Sequence, residues 1–202
     1  LFRRADAVIV PSRDLQGQLR GAGVPTRLLH VIPNGIDTAA WTRPVRRPRE
    51  GRIKLLYLGR LSEEKDPANL LRAMAVLKDR GRDVSLVLAG TGPEQVRLAR
   101  TVQALALADR VTMPGHQADV MPLLAEADIL VVPSRIECMP NVILEAMRGG
   151  VPVVATAVGG VPEMLRDGVE GLLCPPRDPH ALAHAVDRLM DDPDLAARLA
   201  DR

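Results

Sequence analysis

Aromatic residues, cysteines and long apolar runs are all scarce in this sequence of 202 residues. Phe2, Trp41 and Tyr57 are the whole aromatic set, which is too small for the stacking platform that binds single-stranded nucleic acid. The formal net charge is only +2, and acidic and basic residues are spread along the chain. Nucleic acid is therefore not expected as a partner. No apolar run is long enough to span a bilayer.

Cys138 and Cys174 are the only cysteines, and they lie far apart in the sequence. No Cys-x-x-Cys pair and no cluster of Cys and His residues has the spacing of a metal site, so we expect no metal. This cysteine usage favours a reducing compartment such as the cytoplasm, although a single disulfide stays open.

Short runs of apolar, β-branched residues alternate with longer segments of helical periodicity. Most of these runs are apolar at consecutive positions, which is typical of parallel strands covered by helices on both faces. The sequence therefore predicts an α/β fold with a Rossmann-like, doubly wound parallel sheet. The predicted strands are 7–11, 28–33, 53–59, 84–90, 110–115, 128–134, 152–157 and 170–175, and the predicted helices are 13–23, 67–81, 92–107, 118–127, 140–150, 161–168 and 179–192.

The segment "DTAAWTRPVRRPREGR" (37–52) interrupts this alternation. It is rich in Pro and Arg and has no periodicity, which is typical of a linker. We therefore expect residues 1–37 to be the end of one domain with a hinge. Residues 38–202 are expected to form a second domain whose C-terminal end is cut short. The chain looks like a piece of a longer protein, because it begins with Leu and stops within a helical pattern.

Glycine and charged residues follow several predicted strands at their carboxyl ends, where a doubly wound sheet binds its ligands. The residues at these strand ends include Gly59, Arg60, Lys65, Gly90, Gly115 and His116. Arg offers a planar fork for phosphate oxygens and Lys a point charge, so Arg60 and Lys65 are candidates for binding a diphosphate. The alternative is that both pair with Glu63, Glu64 or Asp66 at the surface.

Two glutamates stand in the segment "PSRIECMPNVILEAMRGGVPVVAT" (133–156). Glu137 falls in the loop before a predicted helix and Glu145 lies one to two turns inside it, so both can face one pocket. Carboxylates accept hydrogen bonds from sugar hydroxyls. A carboxylate among apolar neighbours needs such a partner, but Glu145 could equally point to solvent from an amphipathic helix. The amide groups where this helix starts, at Pro140, offer a further site for an anion.

Four segments in this order resemble the nucleotide-sugar-binding half of glycosyltransferase family 4, whose members have the GT-B architecture of two Rossmann-like domains facing a cleft. They are "PNGID" (33–37), "GRLSEEKD" (59–66), "AGTGP" (89–93) and the segment 133–156. The resemblance implies a retaining glycosyltransferase of hexosyl type. Such an enzyme moves a sugar from a nucleoside-diphosphate sugar, for example a UDP-sugar, to a glycan or glycolipid acceptor in polysaccharide biosynthesis.

The resemblance also implies roles for single residues. Arg60 and Lys65 match the basic pair that holds the diphosphate and stabilises it as it leaves. Glu137 matches the glutamate that meets the transferred sugar, and Glu145 matches the one that binds the ribose hydroxyls. The other residues implied to contact the donor are Gly59, Gly90, Gly115, His116, Cys138, Met139, Pro140, Asn141 and Val142. Cys138 departs from the family, which usually has a small residue, often Gly, at this position.

The family implies no metal and no cofactor, because the nucleotide sugar is itself the donor substrate. The acceptor is implied to bind mainly to the N-terminal domain, of which residues 1–37 represent only the end. Bacterial relatives commonly work at the cytoplasmic face of the membrane, so peripheral membrane contact through the basic stretch 43–49 is also expected. Two alternatives stay open: a sugar-nucleotide 2-epimerase, which shares the two-domain architecture, and a non-catalytic module that binds nucleotide sugars.

Overall fold

The computed structural model describes residues 5–38 and 51–201, and these ranges contain eight β-strands and eight α-helices. The strands are β1 (Val8–Val10), β2 (Leu29–Val31), β3 (Ile53–Leu58), β4 (Val84–Ala89), β5 (Val111–Gly115), β6 (Ile129–Val132), β7 (Val153–Thr156) and β8 (Leu172–Cys174). The helices are α1 (Arg13–Gly21), α2 (Pro67–Asp79), α3 (Gln95–Ala104), α4 (Met121–Glu126), α5 (Asn141–Gly149), α6 (Val161–Met164), α7 (Pro179–Asp191) and α8 (Pro193–Ala200). None of the helices in the described ranges is long and apolar enough to cross a membrane.

Six strands form one parallel sheet in the order β5-β4-β3-β6-β7-β8. Counted within this sheet, the order is 3-2-1-4-5-6, which is that of a Rossmann fold. β3 and β6 are neighbours, with Leu55 opposite Ile129 and Leu56 opposite Leu130. Because the strand order reverses between them, the crevice where such a sheet binds ligands lies at the carboxyl ends of β3 and β6.

The predicted doubly wound sheet is confirmed, and each predicted strand lies within two residues of its predicted bounds. All seven predicted helices form, but each is shorter than predicted, and the largest differences are in α3, α4 and α6. α3 ends at Ala104 instead of residue 107, and Ala106 beyond it adopts a left-handed φ of 49°. α4 begins at Met121 instead of residue 118. α6 ends at Met164 because Leu165 is already extended. Pro114 is tolerated within β5 because that strand lies at the edge of the sheet.

Helices cover both faces of the sheet, which explains the consecutive apolar residues in its strands. Leu55 and Tyr57 of β3 belong to a core cluster that also contains buried residues of α2, α3 and α7. Leu56 and Leu58 of the same strand belong to a second cluster, which contains residues of α4, α5 and α6. The site at the strand ends therefore stands on a strand that is packed on both sides.

The N-terminal part forms a separate two-stranded parallel sheet, β1-β2, which packs with α1. It is joined to the larger unit by Glu163 of α6, whose carboxylate accepts hydrogen bonds of 2.9 Å from the backbone N–H groups of Arg13 and Asp14. The domain boundary between residues 37 and 38 stays a prediction. Most of the linker, with its basic stretch 43–49, lies outside the described residues.

Leu70 of α2 is fully buried in the core beside the sheet. The substitution Leu70→Ala is expected to lower the free energy of unfolding by about 2–5 kcal/mol, because it removes buried methyl groups and leaves a cavity. Urea denaturation followed by circular dichroism measures this change. Val96→Ala, at a residue of α3 that is 64% exposed, is the control and should stay within about 0.5 kcal/mol of the parent protein. Equal stability of both variants would contradict the packing described above.

Candidate functional site

An open cavity of about 640 Å³ lies at the carboxyl ends of β3 and β4, beside the start of α5. Six of the residues singled out from the sequence line it: Gly59, Arg60, Gly90, His116, Val142 and Glu145. They come from four separate loops and helices, so the fold brings them together as predicted. Gly92, which follows the same predicted strand as Gly90, also lines this cavity. Thr91 and Gln117 line it as well, and the sequence alone did not indicate them as site residues.

Two glycines allow the loops around the cavity to approach each other closely. Gly90 has a φ of 145°, and a Cβ atom there would lie 1.8 Å from the carbonyl oxygen of Gly59. A Cβ atom at Gly92 would lie 2.3 Å from the carbonyl oxygen of Leu61. Gly115 supports the same loop, because its carbonyl accepts a hydrogen bond of 2.8 Å from the N–H of Gly90. Any side chain at Gly90 or Gly92 would push the loops after β3 and β4 apart.

Lys65 and Glu137 form an ion pair where the loops after β3 and β6 meet. The Nζ atom of Lys65 lies 2.7 Å from Oε2 of Glu137. The hydroxyl of Ser134 donates to the other carboxylate oxygen, Oε1, also at 2.7 Å. The side chain of Glu137 is 5% exposed and that of Lys65 31%. Lys65 thus pairs with the glutamate of a different loop, and the alternative of a surface pair within its own loop is wrong.

Buried polar groups and a pair of glycines hold the loop that carries Glu137. The hydroxyl of Thr156 in β7 donates to the carbonyl of Ser134 at 2.5 Å. A Cβ atom at Gly159 would lie 1.7 Å from the carbonyl oxygen of Glu137, and one at Gly160 would lie 1.9 Å from that of Cys138. The segment after β7 therefore packs backbone to backbone against the glutamate loop.

Tyr57 and Arg135 also shape the site, although the sequence analysis did not assign them a role. The Tyr57 hydroxyl donates to the carbonyl of Arg60 at 2.7 Å, and burial raises the pKa of this phenol, so it stays protonated as a donor. Arg135 binds the carboxylates of Asp66 and Glu63, each at 2.7 Å. The sequence contained one indication of the role of Tyr57: the hydroxyl of a tyrosine within an apolar strand needs a hydrogen-bond partner.

Glu145 lines the cavity from the second turn of α5 and is partly buried. Burial raises the pKa of its carboxyl above the ordinary value. The alternative of a fully solvated Glu145 is therefore not what the structure shows. A carboxylate in this position is well placed to accept hydrogen bonds from hydroxyl groups of a molecule in the cavity.

The remaining predicted site residues lie beside the cavity, towards the N-terminal part. The side chain of Asn34 donates to the carbonyl of Met139 and to Oδ1 of Asn141, at 3.0 Å each. Met139 lines a second cavity of about 590 Å³. Pro140 is the N-cap of α5 and provides no side-chain cap for its first amides. The binding roles of Met139, Pro140 and Asn141 stay predictions.

Cys138 is exposed and Cys174 is buried, and both thiols are free. The disulfide that the sequence left open is therefore absent from the structure. Within residues 5–38 and 51–201, no group of three or more His, Cys, Asp and Glu side chains is arranged to hold a metal ion. Cations and carboxylates of the protein itself are the charged groups that the described site offers to a ligand.

Gly159 has a left-handed φ of 52° and no room for a side chain. Gly159→Ala is expected to lower the free energy of unfolding by about 1–3 kcal/mol, because the new methyl group collides with the backbone of Glu137. Urea denaturation measures the loss. Gly17→Ala in α1 is the matched control: a Cβ atom there meets nothing within 4 Å, so the helix should gain about 0.5–1 kcal/mol. A Gly159→Ala protein as stable as its parent would show that the two backbones do not pack this closely.

Because burial raises the pKa of Glu145, the folded protein binds a proton at this carboxyl more readily than the unfolded chain does. The free energy of unfolding therefore decreases as the pH rises through the interval between the two pKa values. Glu145→Gln should be more stable than the parent protein at pH 7, and this gain should shrink near pH 4. Urea denaturation at both pH values tests the sign. Glu126→Gln, at an exposed carboxylate paired with Lys54, should show no gain at pH 7. A gain for Glu145→Gln that is the same at both pH values would refute this explanation.

Comparison with known proteins identifies the family. Residues 41–202 match the family described as Glycosyl transferases group 1, and residues 1–40 match Glycosyltransferase Family 4. The chain is 35% identical to the glycogen synthase of Mycobacterium tuberculosis over 205 residues, which cover 99% of the chain and 49% of that protein. It is 35% identical to the alpha-D-kanosaminyltransferase of Streptomyces kanamyceticus over 212 residues, which cover 98% of the chain and 55% of that protein. The chain thus spans about half the length of these curated relatives.

Solved structures agree with this assignment. Anabaena Alr3699/HepE in complex with UDP-glucose superposes with a TM-score of 0.90 at 28% sequence identity, over 98% of this chain and 58% of that chain. The sucrose-phosphate synthase of Thermosynechococcus elongatus superposes with a TM-score of 0.87 at 32% identity, over 98% of this chain and 52% of that chain. With its parallel Rossmann-like sheet and the family match over residues 41–202, the chain belongs to the glycosyl transferases of group 1 and contains the C-terminal domain of a GT-B glycosyltransferase.

Proposed function

We propose that this chain is the donor-binding part of a retaining glycosyltransferase, which moves a hexose-type sugar from a nucleoside-diphosphate sugar to a glycan or glycolipid acceptor. One observation carries the proposal: two cations and two carboxylates converge at the crevice between β3 and β6. Arg60 and Glu145 line one cavity, and Lys65 contacts Glu137 at 2.7 Å beside it. The family match favours glycosyl transfer over the 2-epimerase and over a module without catalysis.

The nucleoside is proposed to occupy the cavity of about 640 Å³. Glu145 would accept hydrogen bonds from the ribose hydroxyls, and His116 and Val142 line the space available to the base. UDP and UDP-glucose are the ligands bound in the Anabaena HepE structures, so a UDP-sugar is the donor that we propose for this chain. A ribose bound at Glu145 would also donate hydrogen bonds to a carboxylate that burial has deprived of part of its water.

The diphosphate is proposed to bind between Arg60 and Lys65. Arg60 is the second residue after β3, and the hydrogen bond from Tyr57 holds its carbonyl, so the start of this side chain is well fixed. Lys65 ends the same loop and reaches Glu137 across the crevice. The two cations therefore flank the space between the cavity and the glutamate loop. The side chain of Lys65 is 31% exposed, so its charge is partly shielded from water and would interact more strongly with phosphate than it would in bulk solvent.

In the proposed reaction, the bond between the anomeric carbon and the β-phosphate oxygen breaks, and its electron pair stays on that oxygen. Arg60 and Lys65 stabilise the negative charge as it grows, which lowers the barrier because the charges are already in place. The acceptor hydroxyl attacks the anomeric carbon from the same face, and its proton passes to the leaving phosphate. Glu137 holds hydroxyl groups of the transferred sugar. The configuration at the anomeric carbon is thereby retained.

The reaction is proposed to need no metal ion and no other cofactor, because the side chains of Arg60 and Lys65 supply positive charge where the diphosphate would leave. The acceptor is proposed to bind mainly to the other domain of the GT-B architecture. The described N-terminal part, residues 5–38, contributes to that domain only a two-stranded sheet and one α-helix.

Lys65→Ala tests the proposed site. The substitution should weaken binding of UDP and of UDP-glucose by about 10- to 100-fold, because it removes a charge-assisted hydrogen bond to phosphate. Isothermal titration calorimetry measures both affinities, and circular dichroism verifies that the variant is folded.

Lys54→Ala is the matched control, because Lys54 lies near the start of β3, at the end of that strand opposite to the loop of Lys65, and pairs with the exposed Glu126. Its affinity for both ligands should equal that of the parent protein. If the folded parent protein binds neither UDP nor UDP-glucose, the proposed donor is wrong. If Lys65→Ala binds them as tightly as Lys54→Ala does, the role of Lys65 is wrong.

A further inference from the structure

Besides the ion pair of Lys65 with Glu137, the side chain of Arg135 also connects the two loops that carry these residues. Its Nε atom lies 2.7 Å from Oδ2 of Asp66, and its Nη1 atom lies 2.7 Å from Oε1 of Glu63. Both acidic residues belong to the loop after β3, whereas Arg135 belongs to the loop after β6. The guanidinium group thus bridges the crevice on which the proposed donor site depends.

The backbone of Arg135 strengthens this connection. Its N–H group donates to the carbonyl of Glu64 at 2.8 Å, and the N–H group of Ile136 donates to the same carbonyl at 3.3 Å. Glu64 and Asp66 are the residues immediately before and after Lys65. Arg135 therefore binds the chain on both sides of Lys65, while it stands only two residues before Glu137.

We propose that Arg135 is a positioning residue that determines where Lys65 lies relative to Glu137. The inference rests on the proposed function, in which Lys65 binds the diphosphate of the donor. Arg135 is not among the residues that line the cavity of about 640 Å³, and its guanidinium already has two carboxylate partners. It acts on the ligand through Lys65 instead of touching it.

The anchor at the other end of this bridge is rigid. Asp66 has a side chain that is 1% exposed, and its backbone has a left-handed φ of 41° that non-glycine residues seldom adopt. Its carboxylate also caps α2 by accepting from the N–H of Asn69 at 3.2 Å. Because α2 packs into the core, the bond to Asp66 ties the glutamate loop to the start of a packed helix.

Arginine is the residue that this geometry requires. The planar guanidinium presents two N–H groups in fixed directions, so it can bind Asp66 and Glu63 at once. A lysine could reach only one of them with the same geometry. A shift of about 1 Å in Lys65 would be enough to impair a site whose function depends on the position of its charges.

A double-mutant cycle tests the inference, with UDP as the probe because it has a diphosphate but no sugar for Glu137. Arg135→Gln should weaken UDP binding by about tenfold in the parent protein. In the Lys65→Ala background, the same substitution should change the affinity by less than twofold, because its effect passes through Lys65. Groups that act through one another show such non-additivity, whereas independent sites are additive. Isothermal titration calorimetry provides the four affinities.

Arg82→Gln is the matched control for the loss of a partly buried arginine. Arg82 lies just before β4, at the end of the sheet opposite to the site, and binds Asp187 and Asp191. Its side chain is 29% exposed, compared with 20% for Arg135. The substitution Arg82→Gln should lower the thermal stability and leave the UDP affinity within twofold of that of the parent protein. Arg135→Lys provides a second variant if Arg135→Gln does not fold, and its UDP affinity should fall by about three- to tenfold.

The outcomes separate the two proposals. If the folded parent protein binds no UDP, both proposals fail. If it binds UDP but Arg135→Gln and Arg135→Lys bind it equally well, only the role of Arg135 is wrong. If the loss caused by Arg135→Gln is the same with and without Lys65, Arg135 has a general structural role and the inference is likewise overturned.

Discussion

The pairing of β3 with β6 is the constraint on which the candidate site depends. Residues that meet at the carboxyl ends of these strands are far apart in the chain: 72 positions separate Lys65 from Glu137. Two further strands lie beyond β3 and two beyond β6, so the chain leaves the centre of the sheet in opposite directions. This reversal of strand order leaves a crevice between the loops after β3 and β6, and the ion pair of Lys65 with Glu137 spans it.

The two carboxylates of this crevice differ in the partners that replace the water each has lost. Glu137 is nearly buried, and it is stabilised by hydrogen bonds from Ser134 and Lys65. Glu145 is partly buried, and desolvation raises the pKa of its carboxyl. A protein that keeps such a group in an otherwise apolar helix gives up stability there, and binding of hydroxyl groups would compensate for it. This difference agrees with separate proposed roles for the two glutamates.

Much of the fold was predictable because its signals are local. Consecutive apolar residues in β3 and β6 predicted buried parallel strands, which the structure confirms. Glycine at the strand ends predicted a ligand crevice, and the structure shows that Gly90 lets the loops after β3 and β4 approach each other closely. The helix ends were less predictable. At the end of α3, Ala106 takes the left-handed conformation that Gly usually takes, and the N–H of Leu107 donates to the carbonyl of Val102 at 2.9 Å. Because this position holds no Gly, the sequence contained no signal for this helix end. Residue type and spacing marked Arg60 and Glu145 only as candidates, each with a surface alternative, and the resemblance to glycosyltransferase family 4 supplied their proposed roles.

The supporting residues were not recognisable in this way. Ser134, Arg135 and Gly159 matter through partners that are distant in sequence, and no spacing rule connects Arg135 to Asp66 or Gly159 to Glu137. Local sequence determines the strands, the loops that follow them and the chemical groups in each loop, because these depend on propensity and periodicity. Only the tertiary structure decides which loops become neighbours, because strand order and long-range packing set the distances between them.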